Sequence, residues 1–235
     1  MSAHAQGPTV CARRRSITTG TICVFAKPPR PGLVKTRLVP SLGEQRAAEL
    51  AAAFLLDTWT AVGRVSWATR ILATTDRDVM LPVQDDGVLW LQGEGDLGAR
   101  IERILTRALQ TTDIAIAIGA DSPGMPARLL DDARAALADH DAVIGPTIDG
   151  GFYLLGLRTC PPGLLAGVPW STAGTCEHTV AALAAHDLRP ARLEPWFDVD
   201  EITDVERVRQ LLAAGAIEAP ATARALGVRP AVGQR

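Results

Sequence analysis

The 235-residue sequence predicts an α/β fold: a single domain with a mixed, mostly parallel central sheet and helices on both faces. Two observations carry this. Short, wholly apolar runs alternate with longer amphipathic ones, the pattern of right-handed β-α-β units whose strands are covered on both sides. At 141–146 and 151–157, by contrast, two strand-like runs follow each other directly, so one strand is expected to run antiparallel.

Each element has a local reason. TICVFA (21–26) is short, β-rich and stopped by prolines, which marks a buried strand. GEQRAAELAAAFLLDTWTAV (43–62) spaces its apolar residues by three and four, with Glu44 early, and reads as a helix. TRILATT (69–75) and GVLWLQ (87–92) are strands, LGARIERILTRALQ (97–110) is a helix, and DIAIAIGA (113–120) is a fully apolar strand. MPARLLDDARAALADH (125–140) is a helix, and DAVIGP and GFYLLGL are the two adjacent strands. TCEHTVAALAAHD (175–187) is a helix, ARLEPW (191–196) a strand, and ITDVERVRQLLAA (202–214) a last long helix. Residues 1–20, with Arg13, Arg14 and Arg15, are expected to form a disordered basic arm, residues 21–214 the domain, and residues 215–235 an Ala/Pro-rich tail or appended short helix.

Composition narrows the function. A hydrophobic share of 47% is ample for a core, and a net charge of −2 offers no field to recruit a polyanion, which argues against nucleic acid as partner. No apolar run approaches the roughly 20 residues that cross a bilayer, so no membrane role is expected. The cysteines Cys11, Cys23, Cys160 and Cys176 form no CxxC pair, which disfavours a disulfide framework or a zinc site and fits a reducing cytoplasm. The histidines His4, His140, His178 and His186 share no catalytic spacing, and no nucleophile signature is present.

In sheets of this kind ligands sit at the carboxyl ends of the strands. After the first strand comes KPPRPGLVKTRLVPSLG, a shaped loop holding Lys27, Arg30, Lys35 and Arg37 and no acid. It is either a polyphosphate cradle or a solvated basic edge. After the 113–120 strand, Asp121 stands in ADSPGMP, either as ligand to a hard divalent cation or as a helix cap. After the 191–196 strand, Asp198 and Asp200 lie two apart in extended chain, like charges that a cation would relieve, with Asp204 following. Thr203 with Glu206 reads as a capping box there. GEGDLGARI (93–101) is either a nucleotide approach, with Asp96 and Gly98, or a loop capped by Asp96. VPWSTAGT (168–175) offers Trp170 as an exposed aromatic, with Ser171 and Thr172 as pocket or cap residues. Asp149, Gly150 and Gly151 either turn the chain or face a ligand. The pattern points to displacement organised by a cation and positive side chains rather than to covalent catalysis.

The stretches FAKPPRPGLVKTRL, DLGARI, GADSPGMP, GPTIDGGFYLLGL, PWST and DVDEITDVERV, in this order over residues 21–214, resemble the radical-SAM/selenodomain-associated transferases. Members are associated with arsenosugar biosynthesis and belong with the nucleotide-diphospho-sugar transferases of GT-A fold. The resemblance implies a Mg²⁺ (or Mn²⁺) dependent transferase with a nucleotide-activated donor and a small-molecule acceptor. It implies phosphate contacts from Lys27, Lys35 and Arg37, metal binding by Asp121 with Asp198 or Asp200, and Asp149, Gly150 and Gly151 against nucleotide or acceptor. On this basis Lys35, Arg37, Asp121 and Asp149 are the expected catalytic residues. A radical-SAM enzyme as pathway neighbour is implied, and a homo-oligomer is compatible. The leading expectation is glycosyl transfer from a nucleotide-diphosphate sugar. The alternative is nucleotidyl transfer from an NTP to a phosphorylated or phosphonate acceptor, which the layout resembles in that Ser122 and Pro123 stand where many GT-A enzymes complete a DxD pair.

Overall fold

A computed structural model describes residues 16–77 and 88–229. The chain alternates as expected: β1 (Gly20–Ala26), α1 (Val39–Leu42), α2 (Glu44–Gly63), β2 (Ala68–Thr74), β3 (Val88–Leu91), α3 (Leu97–Leu109) and β4 (Ile114–Gly119). There follow α4 (Arg128–Asp139), β5 (Ala142–Pro146), β6 (Phe152–Leu157), α5 (Thr175–Ala185), β7 (Pro190–Arg192), α6 (Ile202–Ala213) and α7 (Pro220–Leu226). The strands form one seven-stranded sheet in the order β3-β2-β1-β4-β6-β5-β7. Among the described strands only β6 runs against its neighbours, pairing antiparallel with both β4 and β5. It is the second of the two successive strands, returned by the turn at Asp149.

Period-two alternation divides the core between the two faces. Ile22, Val24, Ile116 and Ile118 point one way, against Leu55 and Trp59 of α2 and Leu129 and Leu137 of α4. Cys23, Ala115 and Ala117 point the other way, against Ile101, Ile104 and Leu105 of α3 and Leu183 of α5. Burial lifts the Cys23 thiol to about 12, leaving it an inert apolar side chain. A third cluster joins Leu50 and Phe54 of α2 to Phe197, Val205, Leu212 and Leu226.

Some expectations change. β7 is shorter than ARLEPW, with only an isolated bridge between Thr147 and Trp196 continuing it. The α6 capping box is Glu201 with Asp204, not Thr203 with Glu206: the extended chain ends two residues earlier, at Glu201. The C-terminal segment is docked as far as it is described. Asp57 of α2, itself buried, accepts the backbone N–H groups of Ala221 (2.8 Å) and Thr222 (2.8 Å) and the Thr222 hydroxyl (2.7 Å) at the start of α7. The basic arm, apart from residues 16–20, and the last six residues lie outside the described residues. No helix of the described residues is long and apolar enough to cross a membrane.

Chain direction across the sheet reverses between β1 and β4. From β1 the chain steps outward through β2 to β3, then α3 carries it back to β4 on β1's other side. Loops leaving the carboxyl ends of β1 and β4 diverge there and leave a crevice.

Candidate active site

The loop after β1 is built as a shelf over this crevice. Leu38, fully buried, anchors a short 3-10 turn (Thr36–Leu38), and Pro40 lies in the first turn of α1. Lys35 precedes the turn with φ 47° and ψ 43°, a left-handed conformation that costs a non-glycine residue energy and persists only where surroundings enforce it. That conformation sends its side chain inward. The Lys35 ammonium lies 3.0 Å from Asp121 Oδ1 and 2.9 Å from Asp200 Oδ1, while Arg37 Nη1 reaches Asp200 Oδ2 at 3.4 Å. Burial alone would push the Lys35 ammonium down, but the two carboxylates outweigh it and the net shift is upward. The backbone secures the acids: Ala120 N–H donates to the Phe25 carbonyl at the end of β1, and Val199 N–H to the Asp121 carbonyl. Gln92, buried, ties the carboxyl ends of β1 and β2 together by donating to the carbonyls of Ala26 and Ala73.

The crevice is a cleft of about 500 Å³ whose polar lining includes Lys27, Lys35, Arg37, Asp121, Ser171 and Asp200. Of the loop's other cation, Arg30, the guanidinium pairs with Asp76 at 2.9 Å. A second cleft of about 290 Å³ shares Arg37 and Asp200 with the first and adds Ile148, Asp149, Asp198 and Arg207. Asp198 is half-buried, and its carboxyl is raised to about 6, first by burial and then by the nearby carboxylates of Asp149 and Asp200.

The structure therefore brings together Lys27, Lys35, Arg37, Asp121 and Asp200, and places Asp149 and Asp198 next door. Asp121 and Asp200 converge on one spot, the one the Lys35 ammonium fills. Among the described residues no group of three or more His, Cys, Asp or Glu side chains is gathered as a ready-made metal cage.

The remaining candidates have packing reasons. Asp96 is the N-cap of α3, its carboxylate accepting the Ala99 N–H at 2.8 Å. Gly98 lies where a Cβ would meet the Trp170 ring at 2.9 Å and the Leu165 carbonyl at 3.0 Å. Trp170 is half-buried rather than exposed, edge-on to Phe152 at 6.1 Å. Gly150 has φ +93°, and a Cβ there would stand 1.9 Å from the Ala173 carbonyl oxygen. At Gly151 a Cβ would meet Thr147 Oγ1 at 2.9 Å. Sequence reasoning missed Gln92, Ile148 and Arg207. Ile148 is 64% exposed beside the Asp-Gly-Gly turn, an exposure that its place in an apolar run does not disclose.

The profile of a family described as "uncharacterized protein conserved in bacteria (DUF2064)" matches residues 56–172. No curated protein sequence matches the chain. Among solved structures, a protein of Desulfovibrio desulfuricans G20 described as a candidate nucleotide-diphospho-sugar transferase is 31% identical, with a TM-score of 0.74 over 82% of this chain and 86% of that one. A 4-diphosphocytidyl-2C-methyl-D-erythritol synthase of Anaerococcus prevotii DSM 20548 is 13% identical, with a TM-score of 0.58 over 83% and 96% of the two chains. A CMP:2-keto-3-deoxy-manno-octonic acid synthetase, solved with CTP, is 14% identical, with a TM-score of 0.54 over 83% and 98%. The last two likenesses are of fold.

Proposed function

The chain belongs with the nucleotide-diphospho-sugar transferase superfamily, its residues 56–172 matching the bacterial DUF2064 profile, and from that premise we propose that it is a metal-dependent glycosyltransferase. It moves a sugar from a nucleotide-diphosphate donor to a small acceptor. One observation carries this reading: Lys35, Asp121, Asp200 and Arg37 meet at the switch point of the sheet, beneath a cleft large enough for a nucleotide diphosphate.

In this reading Lys27, Lys35 and Arg37 pair with the diphosphate oxygens, and as preset cations they stabilise the charge that grows as the diphosphate leaves. Two convergent carboxylates completed by phosphate oxygens are a donor set that suits Mg²⁺ or Mn²⁺, so Asp121 and Asp200 fit the ion, with Asp198 beside them. When bound, the ion neutralises the leaving diphosphate. The second cleft holds the acceptor, and Asp149 and Asp198 accept hydrogen bonds from its hydroxyl groups. A second reading, nucleotidyl transfer, draws on the buried Ser122 and the Pro123 after Asp121: the second acid comes from across the cleft, as Asp200, rather than from the same loop.

Thermal unfolding with Mg²⁺ and a panel of nucleotide-diphosphate sugars and intact NTPs separates the two. A ligand at about 100 times its Kd adds about 2.7 kcal/mol. For a domain of this size that raises Tm by roughly 5–10 °C. Glycosyl transfer predicts this response to a nucleotide-diphosphate sugar. Selective response to an NTP, with pyrophosphate released when a phosphorylated acceptor is added, overturns it in favour of nucleotidyl transfer.

A further inference from the structure

We propose that Lys35 is the resident cation of the Asp121–Asp200 pair, so that a divalent ion enters this site only as the Lys35 ammonium moves onto the phosphates of an arriving nucleotide. This rests on the reading of Asp121 and Asp200 as metal ligands. Its new content is that the free protein resists the ion, and that metal and nucleotide bind as one coupled event.

Three observations carry the inference. The ammonium stands 3.0 and 2.9 Å from the inner oxygens of the two carboxylates, so an ion held by both acids needs the volume that Lys35 fills. The accessibilities are unequal in the sense that competition requires. The Lys35 side chain is 5% exposed, whereas those of Asp121 and Asp200 are 55% and 40% exposed. The acids open onto the cleft while the ammonium is sealed beneath them. Lastly, the backbone of Lys35 is pinned: Val34 and Leu38 are buried on either side, and the Leu38 N–H donates to the Lys35 carbonyl at 2.8 Å. The Cα position is thus fixed and the flexible four-carbon stem is the part that can move.

Moving the ammonium without a new partner would leave it buried and uncompensated, which is costly. A nucleotide diphosphate or triphosphate in the first cleft supplies that partner. Nucleotide then tightens the ion by some factor, and the ion tightens nucleotide by the same factor, typically about 5- to 150-fold. Arg37, bonded to the outer oxygen of Asp200 and 64% exposed, can follow the phosphates with little rearrangement.

The test is direct Mn²⁺ binding without nucleotide, read by electron paramagnetic resonance of the free ion, on the full-length protein and on Lys35→Met. Removing the ammonium is expected to tighten Mn²⁺ about tenfold or more, within the coupling range above. Adding Asp121→Asn to Lys35→Met is expected to abolish the gain. Equal affinity in wild type and Lys35→Met overturns the competition while leaving the metal site standing. Absence of Mn²⁺ binding in both sinks the metal reading itself and this inference with it. Lys35→Gln, of similar reach and also uncharged, serves as the second variant if Lys35→Met melts far below wild type.

Discussion

Asp198→Asn should stabilise the metal-free protein, increasingly as pH rises from 3.8 to about 6 and fully above that. The carboxyl is raised from its ordinary 3.8 to about 6 in the folded protein, by burial and by Asp149 and Asp200. The native state therefore holds this proton more tightly than the unfolded chain does. Ionised Asp198 costs stability, and the cost is absent below the unfolded value, grows as pH climbs between the two values, and is complete above about 6. Two units correspond to about 3 kcal/mol. Because the group is only half-buried, solvent screening reduces this to about 1–1.5 kcal/mol. Asparagine keeps the shape and cannot ionise. In EDTA, with urea or thermal unfolding from pH 4.5 to 8, the variant should gain roughly 2–6 °C at pH 8 and keep only about a third of that gain near pH 4.5. Asp149→Asn, by removing one of the two neighbouring charges, should shrink the gain. A benefit that is constant with pH, or a variant less stable than wild type at pH 8, refutes the electrostatic account of this cleft.

Two further substitutions test the packing around the site. Asp57→Ala strips the start of α7 of its acceptor and leaves buried N–H groups unpaired, which should cost about 2–3 kcal/mol in urea unfolding; an unchanged midpoint would mean that α7 does not dock on α2 in solution. Gly150→Ala combines a positive φ with a Cβ 1.9 Å from the Ala173 carbonyl and should cost about 2–4 kcal/mol, whereas Gly227→Ala, in the left-handed region at φ 68° and ψ 24° with open space around its Cβ, should cost only about 1 kcal/mol by the same unfolding assay. Equal losses at the two glycines would remove the steric reason for Gly150.

Most of the sheet was legible because buried parallel strands are short apolar runs closed by Pro, Gly or Asp, and the sequence has little else of that kind. The residues that converge in the first cleft are legible as charged groups at strand ends: Lys35, Asp121 and Asp200 each follow a strand-like run. What local pattern cannot carry is a partner distant in sequence. Asp57 lies on the buried face of α2 and serves α7, 164 residues away. A one-dimensional reading sees only an acid in an apolar helix, and sees α7 as a tail or appended short helix with no docking partner. The α6 cap failed for a related reason, since Thr203–Glu206 and Glu201–Asp204 are both plausible caps locally. The choice falls to Glu201 and Asp204 because Val199 is tied to Asp121 by a backbone hydrogen bond, which keeps the chain extended up to the cap.

The turn Asp149–Gly150–Gly151 shows how a structural role and a site role share one stretch. The Asp149 Oδ1 accepts the Thr147 hydroxyl at 2.5 Å and the Gly151 N–H at 3.1 Å, which closes the turn between β5 and β6. The space kept clear at Gly150 is taken by the chain itself: the Ala173 carbonyl packs there, and the Cys176 N–H donates to the Gly150 carbonyl at 2.9 Å, docking the start of α5 on the hairpin. The glycines thus let two segments of backbone approach closely. Asp149, fixed by the same turn, adds its charge to the second cleft and helps hold the Asp198 proton. Its place in the second cleft depends on the turn that the glycines make possible.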